Sequence, residues 1–351
     1  MSNPKVERLA YPPDDSSTIK TQWNALVSSL HGDYNLLFEW MSICSLSQNL
    51  EPHPLYITEN NALVSLCPLV FNPVTKELRI PPTHGLGGSL PLSDMALYLP
   101  EISKISKELG AKKTTIQIPA QEEATKVLKR FGYNTDDKMP YYVLDLEGVK
   151  SFLEAKKKFS KGAKRGINLS KRNGVTVKSP TPSPENLTLA YNIYLETMSH
   201  NKAAHLLPLE LFKAIGEFLP GDTKIFLAER EGKLIGATIC FDVGETFTLW
   251  TIFALIEERK AFVNNALYCA VIDYAVSNGL RYVDFGPSGP LSKAREIKKK
   301  HGGSERWMLT AVRINNPLKS ASYTIRKLIR RKAIESPNSL ISKLYKRFAL
   351  K

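Results

Sequence analysis

Three consecutive segments in the second half of the chain, TKIFLAER, KLIGATICFDV and TFTLWTIFAL, are rich in the β-branched and aromatic residues typical of strands. The tripeptide EGK separates the first two segments, and a short turn of this kind predicts an antiparallel hairpin. Helical patterns at 187–197 and 209–218 precede the strands, and a helix ending at Gly279 follows them. Together with the strand RYVDFG, this order predicts helices, an antiparallel meander, a helix and a further strand.

The first half shows a similar order of helices, strands, helix, strand, helix and strand. TQWNALVSSL places its apolar residues on one helical face, and the dipeptide NN at 60–61 separates two strands. Gly110 and Gly132 stand where two further helices should end. We therefore predict an α/β (α+β) chain with two tandem domains of similar build, each a mixed, mostly antiparallel sheet flanked by helices.

Four parts of the chain are expected: an N-terminal domain at 1–150, a basic connector at 151–180, a C-terminal domain at 181–310 and a basic amphipathic helical tail at 311–351. Three prolines near residue 180 mark the boundary before the second domain. After Gly303 the chain reads as basic and helical, with apolar stripes on helices that would begin near residues 317 and 336.

The positive charge of the chain is concentrated in two segments. The formal net charge is +14, and residues 293–351 alone hold 17 Lys or Arg against 3 acidic residues. Residues 150–172 hold 9 basic residues and 1 acidic residue, so the rest of the chain is slightly acidic. Two basic segments on an acidic body favour a polyanionic partner, namely RNA, a nucleotide-linked substrate or an anionic membrane surface. A solvated surface is the alternative.

Several classes of protein are disfavoured by what the sequence contains. The four cysteines are scattered and two lie in apolar runs, which indicates buried thiols in a reducing compartment. The histidines show no metal-ligand spacing, and GLGG at 85–88 lacks the GK[ST] ending of a P-loop. The tripeptide DFG is not accompanied by the other kinase motifs. The N-terminus does not resemble a signal peptide and no run spans a bilayer, so a cytoplasmic protein is expected.

The stretch YVDFGPSGPLSKAREIKKKHGG joins a short apolar strand to a run of cations. The strand would deliver Asp284 and Gly286 to the edge of a cleft, and the cations that follow would meet a donor that carries phosphates. Contacts of Lys and Arg with phosphate supply affinity that does not depend on sequence and that falls steeply with salt.

The predicted order of elements in the second half resembles the GNAT acyltransferase fold, in which an acyl group is transferred to an amine where two strands part. Members that use acetyl-CoA carry an R/Q-x-x-G-x-G/A loop before the next helix, which binds pyrophosphate through backbone amides. The corresponding stretch is ERKAFVNNAL, where Phe262 and Asn264 stand about where the glycines would be. This difference argues against an ordinary CoA-dependent acetyltransferase.

The chain as a whole resembles the Fem-type aminoacyl transferases and their FemAB-like relatives, which carry two GNAT-like halves. Four stretches carry the resemblance over residues 20–310: the strand that ends in DFG, IKKKHG for a Phe-Lys-x-x-aromatic-Gly element, RIPPTHGLGGSLPL, and the basic FSKGAKRGINLSKRNGVTV. Within the second stretch the lysine and the glycine match, whereas Ile297 and His301 replace the aromatic residues.

This resemblance implies transfer of an acyl or aminoacyl group to an amine of a polar acceptor. By position, Lys298 would hold the activated donor and steady developing negative charge, and Asp284 would orient the amine or act as a base. Lys161 and Arg165 would contact acceptor phosphate. The remaining candidates for substrate binding are Gly286, Tyr282, Ser288 and Lys293.

Alternative functions remain open at this point. The donor could be aminoacyl-tRNA, an acyl-CoA or an acyl carrier, in each case as a co-substrate, and no tightly bound cofactor or metal is expected. A non-catalytic module that binds RNA or a membrane would also fit the charge. Residues 317–351 could lie on an anionic membrane at the inner face, and neither the acceptor nor the oligomeric state follows from the sequence.

Overall fold

A computed structural model describes residues 5–11, 16–83, 85–200, 205–288 and 293–315. The two helices predicted from residues 317 and 336 lie outside the described residues. Among the described residues, no helix is both long and apolar enough to cross a membrane.

The described helices follow the predicted order closely. They are α1 (Ser16–Ser29), α2 (Phe38–Gln48), α3 (Met95–Glu108), α4 (Glu122–Arg130), α5 (Phe152–Lys157), α6 (Lys161–Arg172), α7 (Pro184–His200), α8 (Leu209–Phe218), α9 (Val263–Ser277) and α10 (Lys293–Lys300). The helix predicted at 209–218 has the bounds of α8. The basic connector contains two short helices, α5 and α6, which begin after the serine caps Ser151 and Ser160.

Fourteen strands alternate with these helices along the described part of the chain. They are β1 (Val6–Arg8), β2 (Glu51–Pro52), β3 (Leu55–Glu59), β4 (Ala62–Cys67), β5 (Val70–Asn72), β6 (Glu77–Ile80), β7 (Lys113–Pro119), β8 (Asn134–Asp145), β9 (Thr176–Lys178), β10 (Thr223–Arg230), β11 (Lys233–Val243), β12 (Thr246–Ala254), β13 (Tyr282–Pro287) and β14 (Ser304–Ile314).

One sheet of eleven strands runs through both halves, in the order β2-β5-β6-β7-β14-β8-β13-β12-β11-β10-β9, and β1, β3 and β4 form a second sheet. Most neighbours in the large sheet are antiparallel, and each half contributes one parallel pair, β6 with β7 and β12 with β13. The predicted class, a mixed and mostly antiparallel sheet flanked by helices, is confirmed.

The two halves exchange their last strands. The last strand of the first half, β8, pairs with β13 of the second half, and β14 pairs with β7 of the first half. The exchanged strands also pair with each other, from Ser304–Val143 to Val312–Asn134. The center of the sheet is therefore built from both halves at once, and the division into two domains stays a prediction about the chain rather than a break in the sheet.

The prediction that the chain is helical after Gly303 is wrong for residues 304–314. These residues form β14, which crosses the expected boundary at residue 310 and occupies the start of the expected helical tail. The apolar residues of β14 come in pairs, Met308 with Leu309 and Ala311 with Val312, and all four are buried. β14 is hydrogen-bonded on both edges, to β7 and to β8. These long-range contacts outweigh the local preference for helix.

Both predicted hairpins are confirmed by their backbone geometry. Asn60 and Asn61 have φ values of 50° and 64°, and Glu231 and Gly232 have values of 53° and 75°. Two consecutive residues with positive φ form the tight turn whose twist matches that of antiparallel strands. These turns connect β3 to β4 and β10 to β11.

The N-terminal helices bridge the two halves, since α1 contacts β4 of the first half and α2 packs on α8 of the second half. The Tyr34 ring, just before α2, stacks on Phe241 of β11 with 4.2 Å between centroids, and Trp40 meets Trp250 edge to face. Trp23, Trp40 and the second-half core belong to one continuous apolar cluster. A loop between α1 and α2 is thereby held against the end of β12.

Substitution of Leu309 by Ala should lower the free energy of unfolding by about 2–5 kcal/mol, because Leu309 is fully buried within β14 and its removal leaves a cavity. Leu153→Ala is a matched control, since Leu153 is 73% exposed. Urea unfolding of both variants measures the difference. Equal and small effects would show that residues 304–314 do not form an interior strand.

Candidate functional site

Strands β12 and β13 part in the middle of the sheet and open a cleft. Their parallel pairing ends at Thr248 and Asp284, and β13 resumes its pairing with β8 only at Pro287 and Tyr141. The cleft has a volume of about 620 Å³ and is lined by residues from both halves. We call it the first cleft.

The backbone turns sharply where the first cleft begins. Asp284 accepts a hydrogen bond from the Gly286 N–H at 2.7 Å, and Gly286 has a φ of 73°. A side chain at position 286 would be strained in this conformation, which explains the glycine. The turn directs the carbonyl groups of Gly286 and Pro287 toward α10.

Lys298 of α10 contributes an ammonium group to the first cleft. Its side chain is only 6% exposed, and Nζ donates hydrogen bonds to the carbonyl oxygens of Gly286 at 2.9 Å and Pro287 at 3.0 Å. An ammonium has three N–H groups, so one has no acceptor among the described residues. Burial lowers the pKa of Lys298 to about 8, and the Asp284 carboxylate opposes that change.

His301 holds the end of α10 in place. Its ring stacks on Tyr268 with 4.6 Å between centroids, and Nδ1 lies 2.8 Å from the Ile297 carbonyl oxygen. Because the carbonyl can only accept, Nδ1 carries the hydrogen and Nε2 can accept from the Asn265 amide at 3.4 Å. Burial lowers the pKa of His301, so the ring is neutral. His301 thus fills the place of an aromatic residue.

Asp33, in the loop between α1 and α2, is a functional candidate that the sequence did not indicate. Its Oδ1 accepts hydrogen bonds from the Tyr34 N–H at 2.7 Å and from the Thr248 hydroxyl at 3.1 Å. Thr248 is the register partner of Asp284 on the neighbouring strand. Asp33 comes close to Asp284 only because the N-terminal helices pack on the second half.

The pKa values of the two carboxyl groups in the cleft, Asp33 and Asp284, are both raised. Burial raises the pKa of Asp33 to about 7, and the charge of Asp284 adds to this effect. Burial raises the pKa of Asp284 to about 6, against the Gly286 hydrogen bond and the Lys298 charge. Because the two groups interact, their protons are lost from the pair rather than from two independent sites.

A second cleft of about 370 Å³ reaches the same carboxylates from another side. It shares Asp33 and Asp284 with the first cleft, together with Leu86 and Tyr141. The Arg306 guanidinium lies over the ring of Tyr282 at 5.1 Å, and Arg306 also lines this cleft. Two openings therefore lead to one pair of acidic groups, as a reaction between two substrates requires.

The residues predicted from the sequence divide into three groups. Lys298, Asp284, Gly286 and Ser288 line the first cleft, and Tyr282 lines the second. The third group is exposed and is not among the described residues that line either cleft; its members are Lys161 and Arg165 on α6 and Lys293 at the start of α10. The roles assigned to all eight residues stay predictions.

The two basic segments of the sequence adjoin each other in the fold. The N–H of Ser160, which caps α6, donates to the Lys300 carbonyl oxygen at the end of α10 at 2.9 Å. Gly166 of α6 packs so closely on Asn265 that a Cβ would overlap the amide. The connector and the cationic helix thus form one basic surface beside the first cleft.

The loop before α9 does not have the form of a pyrophosphate cradle. Phe262 occupies a left-handed conformation, with a φ of 61°, where a glycine would be expected. The Asn264 Oδ1 atom is buried without a hydrogen-bond partner among the described residues, and an acceptor at this point would repel phosphate oxygens. No group of three metal-ligating side chains occurs in the described part of the chain.

The fold is that of tandem GNAT-like proteins. The chain is similar to the crystal structure of FemX, with a TM-score of 0.66, 14% identity, and coverage of 86% of this chain and 96% of that one. L-PGS from Bacillus licheniformis matches with a TM-score of 0.58, 15% identity, and coverage of 89% and 96%. A tandem GNAT protein from the clavulanic acid biosynthesis pathway matches with a TM-score of 0.57, 12% identity, and coverage of 89% of this chain and 99% of that one.

The sequence identifies the family. Residues 116–332, well over half of the chain, match the FemAB-like family, which is described by peptidoglycan biosynthesis and recognition. The chain belongs to this family. No match is found among curated protein sequences.

Asp33→Asn should change how stability depends on pH. The folded pKa of Asp33 lies above its ordinary value of 3.8, so between pH 4 and 7 the folded protein binds more protons than the unfolded chain. The free energy of unfolding of the wild type should therefore fall as pH rises through this range, relative to the variant, whose amide can keep both hydrogen bonds.

Urea unfolding at several pH values measures this difference. Parallel stability curves for the wild type and Asp33→Asn would contradict the buried, protonated carboxyl group.

Proposed function

We propose that the protein transfers an activated acyl or aminoacyl group to a primary amine of a polar acceptor in cell-envelope biosynthesis. The observation that carries this proposal is Lys298, whose ammonium group is 6% exposed where β12 and β13 separate and has one N–H without an acceptor among the described residues. The family to which the chain belongs supports the same class of reaction.

The reaction would proceed by attack of the amine on an ester or thioester carbonyl. The amine nitrogen forms a bond to the carbonyl carbon, and the remaining Lys298 N–H donates to the oxygen as it becomes an oxyanion. The carboxylate pair, Asp284 with Asp33, takes one proton from the acceptor ammonium. The bond to the leaving oxygen or sulfur then breaks, and the second amine proton passes to that leaving group.

The donor we favour is aminoacyl-tRNA. The loop before α9, with Phe262 and the unpaired Asn264 oxygen, is poorly suited to the pyrophosphate of CoA. The basic surface formed by α6 and α10 suits the phosphates of RNA. Because Lys161 and Arg165 are exposed and line neither cleft, we propose that they contact the donor, together with Lys293, rather than the acceptor phosphate expected from the sequence. Aminoacyl-tRNA is a co-substrate made in the cytoplasm, so we propose a cytoplasmic reaction. A membrane contact through residues 317–351 stays a prediction.

Incubation with labelled aminoacyl-tRNA and, separately, with labelled acyl-CoA tests the donor. The acceptors are a panel of amino acids, amino sugars and aminoalkyl phosphates, and transfer is measured as label in an amide. We expect label from aminoacyl-tRNA, and Lys298→Ala should reduce the rate by about 10²–10³-fold because the oxyanion loses a fixed donor.

Lys213→Ala serves as the control, since it removes the same charge from an exposed position on α8, outside the basic surface. Label from acyl-CoA alone would reject the tRNA donor. Equal rates for Lys298→Ala and the wild type would reject catalysis by this lysine.

The rate of transfer should depend on pH with a maximum between about 7 and 8. Below this range the Asp33–Asp284 pair, with pKa values of about 7 and 6, becomes protonated and cannot accept a proton. Above it, Lys298, with a pKa of about 8, loses the charge that meets the oxyanion. Measurement of kcat/KM from pH 5.5 to 9 checks both limbs, and a rate that keeps rising above pH 8.5 would contradict a charged Lys298.

A further inference from the structure

The first-half wall of the first cleft carries polar side chains that the proposed reaction does not use. We call Asn35, Gln48, Arg79 and Thr83 the amide wall. The amide nitrogens of Asn35 and Gln48 are buried, and neither has a hydrogen-bond partner among the described residues. A buried donor without a partner costs about 1–3 kcal/mol, so its presence in a cleft indicates a ligand.

The orientation of the Asn35 amide follows from its neighbours. The indole N–H of Trp40 donates to the Thr83 hydroxyl at 3.1 Å, so this hydroxyl must direct its own hydrogen elsewhere. The Thr83 hydroxyl lies 2.8 Å from Asn35 Oδ1, which can accept that hydrogen. Oδ1 therefore faces Thr83, and the NH₂ group of Asn35 is the part that remains unpaired. Asn35 itself is fully buried.

The Tyr34 hydroxyl is the other polar group that faces the Asn35 amide. Burial raises the pKa of Tyr34, and Asn35 acts in the opposite direction, yet no hydrogen bond of normal geometry forms between them. The backbone of Gly85 approaches the same amide so closely that a Cβ at position 85 would overlap Nδ2. Asn35 is thus held between Thr83, Tyr34 and Gly85, and it lines the first cleft with an amide nitrogen that has no hydrogen-bond partner among the described residues.

The amide nitrogens of Asn35 and Gln48 are donors, and Thr251 on the facing strand β12 adds a hydroxyl that is unpaired within the described chain. Arg79, whose side chain is 18% exposed, adds a guanidinium whose Nε lies 4.0 Å from the Glu77 carboxylate. A surface that offers amide and guanidinium N–H groups suits an anion rich in oxygen. The Asp33–Asp284 pair in the same cleft has the opposite character and suits an ammonium group.

We propose that the amide wall binds a carboxylate or phosphate group of the acceptor, whose amine lies at the Asp33–Asp284 pair. The acceptor is then a zwitterion rather than a neutral amine. Its identification as the acceptor rests on the proposed function, whereas binding of an anion to the amide wall does not.

Titration of the full chain with sodium phosphate, with sodium acetate and with neutral acetamide tests the binding. Nuclear magnetic resonance follows the side-chain signals of Asn35 and the indole N–H of Trp40. We expect saturable binding of one anion, weaker by about tenfold or more in Asn35→Asp and in Gln48→Met, since each loses a hydrogen bond to a charged group. Asn192→Asp, on the exposed face of α7 and outside the basic surface, is the control and should bind as the wild type does.

The relative affinities identify the source of the anion. Tighter binding of phosphate assigns a phosphate group, and tighter binding of acetate assigns a carboxylate. The proposal is overturned if acetamide binds as well as both anions, or if Asn35→Asp and Gln48→Met, folded by circular dichroism, bind anions as the wild type does.

A second measurement separates this inference from the proposed function. Displacement titrations compare 6-aminohexanoate with hexylamine and with hexanoate. Tighter binding of 6-aminohexanoate than of either single-charge compound supports a zwitterionic ligand even if no transfer is ever detected. Equal binding of hexylamine and 6-aminohexanoate would refute it even if transfer occurs.

Discussion

The pairing of β8 with β14 in the middle of the large sheet is the interaction on which the rest of the structure depends. Each of these strands ends one half of the chain and lies in the sheet of the other half. The exchange places β8 beside β13 and so sets the register that brings Asp284 opposite Val143. Without it the two halves would be separate sheets, and the first cleft would lose the wall that includes Tyr141 and Met308.

The first cleft brings one ammonium group and two carboxyl groups together in one poorly solvated space. Lys298 keeps its charge because two carbonyl groups and the Asp284 carboxylate compensate for lost water, although burial still lowers its pKa. Asp33 and Asp284 experience the converse effect, since burial raises the pKa of both. Groups whose environments bring their pKa values toward neutrality are suited to proton transfer near pH 7, and this property links the geometry of the cleft to amide formation.

Sequence patterns predicted the local features of the site well and the long-range features poorly. The strand that ends at Asp284, the turn at Gly286 and the lysine of α10 are close in the chain, and their order alone suggested that they would meet. Asp33 lies more than 200 residues from its hydrogen-bond partner Thr248, so no local pattern could indicate that contact. The sequence after Gly303 was predicted to be basic and helical, whereas pairing with two neighbouring strands requires residues 304–314 to be extended.

By itself, the sequence determined most of the elements and their order, the two asparagine- and glycine-based hairpins and the resemblance to FemAB-like proteins, because these depend on periodicity and on residues with special backbone preferences. Only the tertiary structure decided that the halves exchange strands, that the N-terminal helices join the second-half core and that Asn35 and Gln48, whose amide nitrogens have no partner among the described residues, line a cleft. Those features arise from burial and pairing between distant segments, and no local stretch of the chain predicts such contacts.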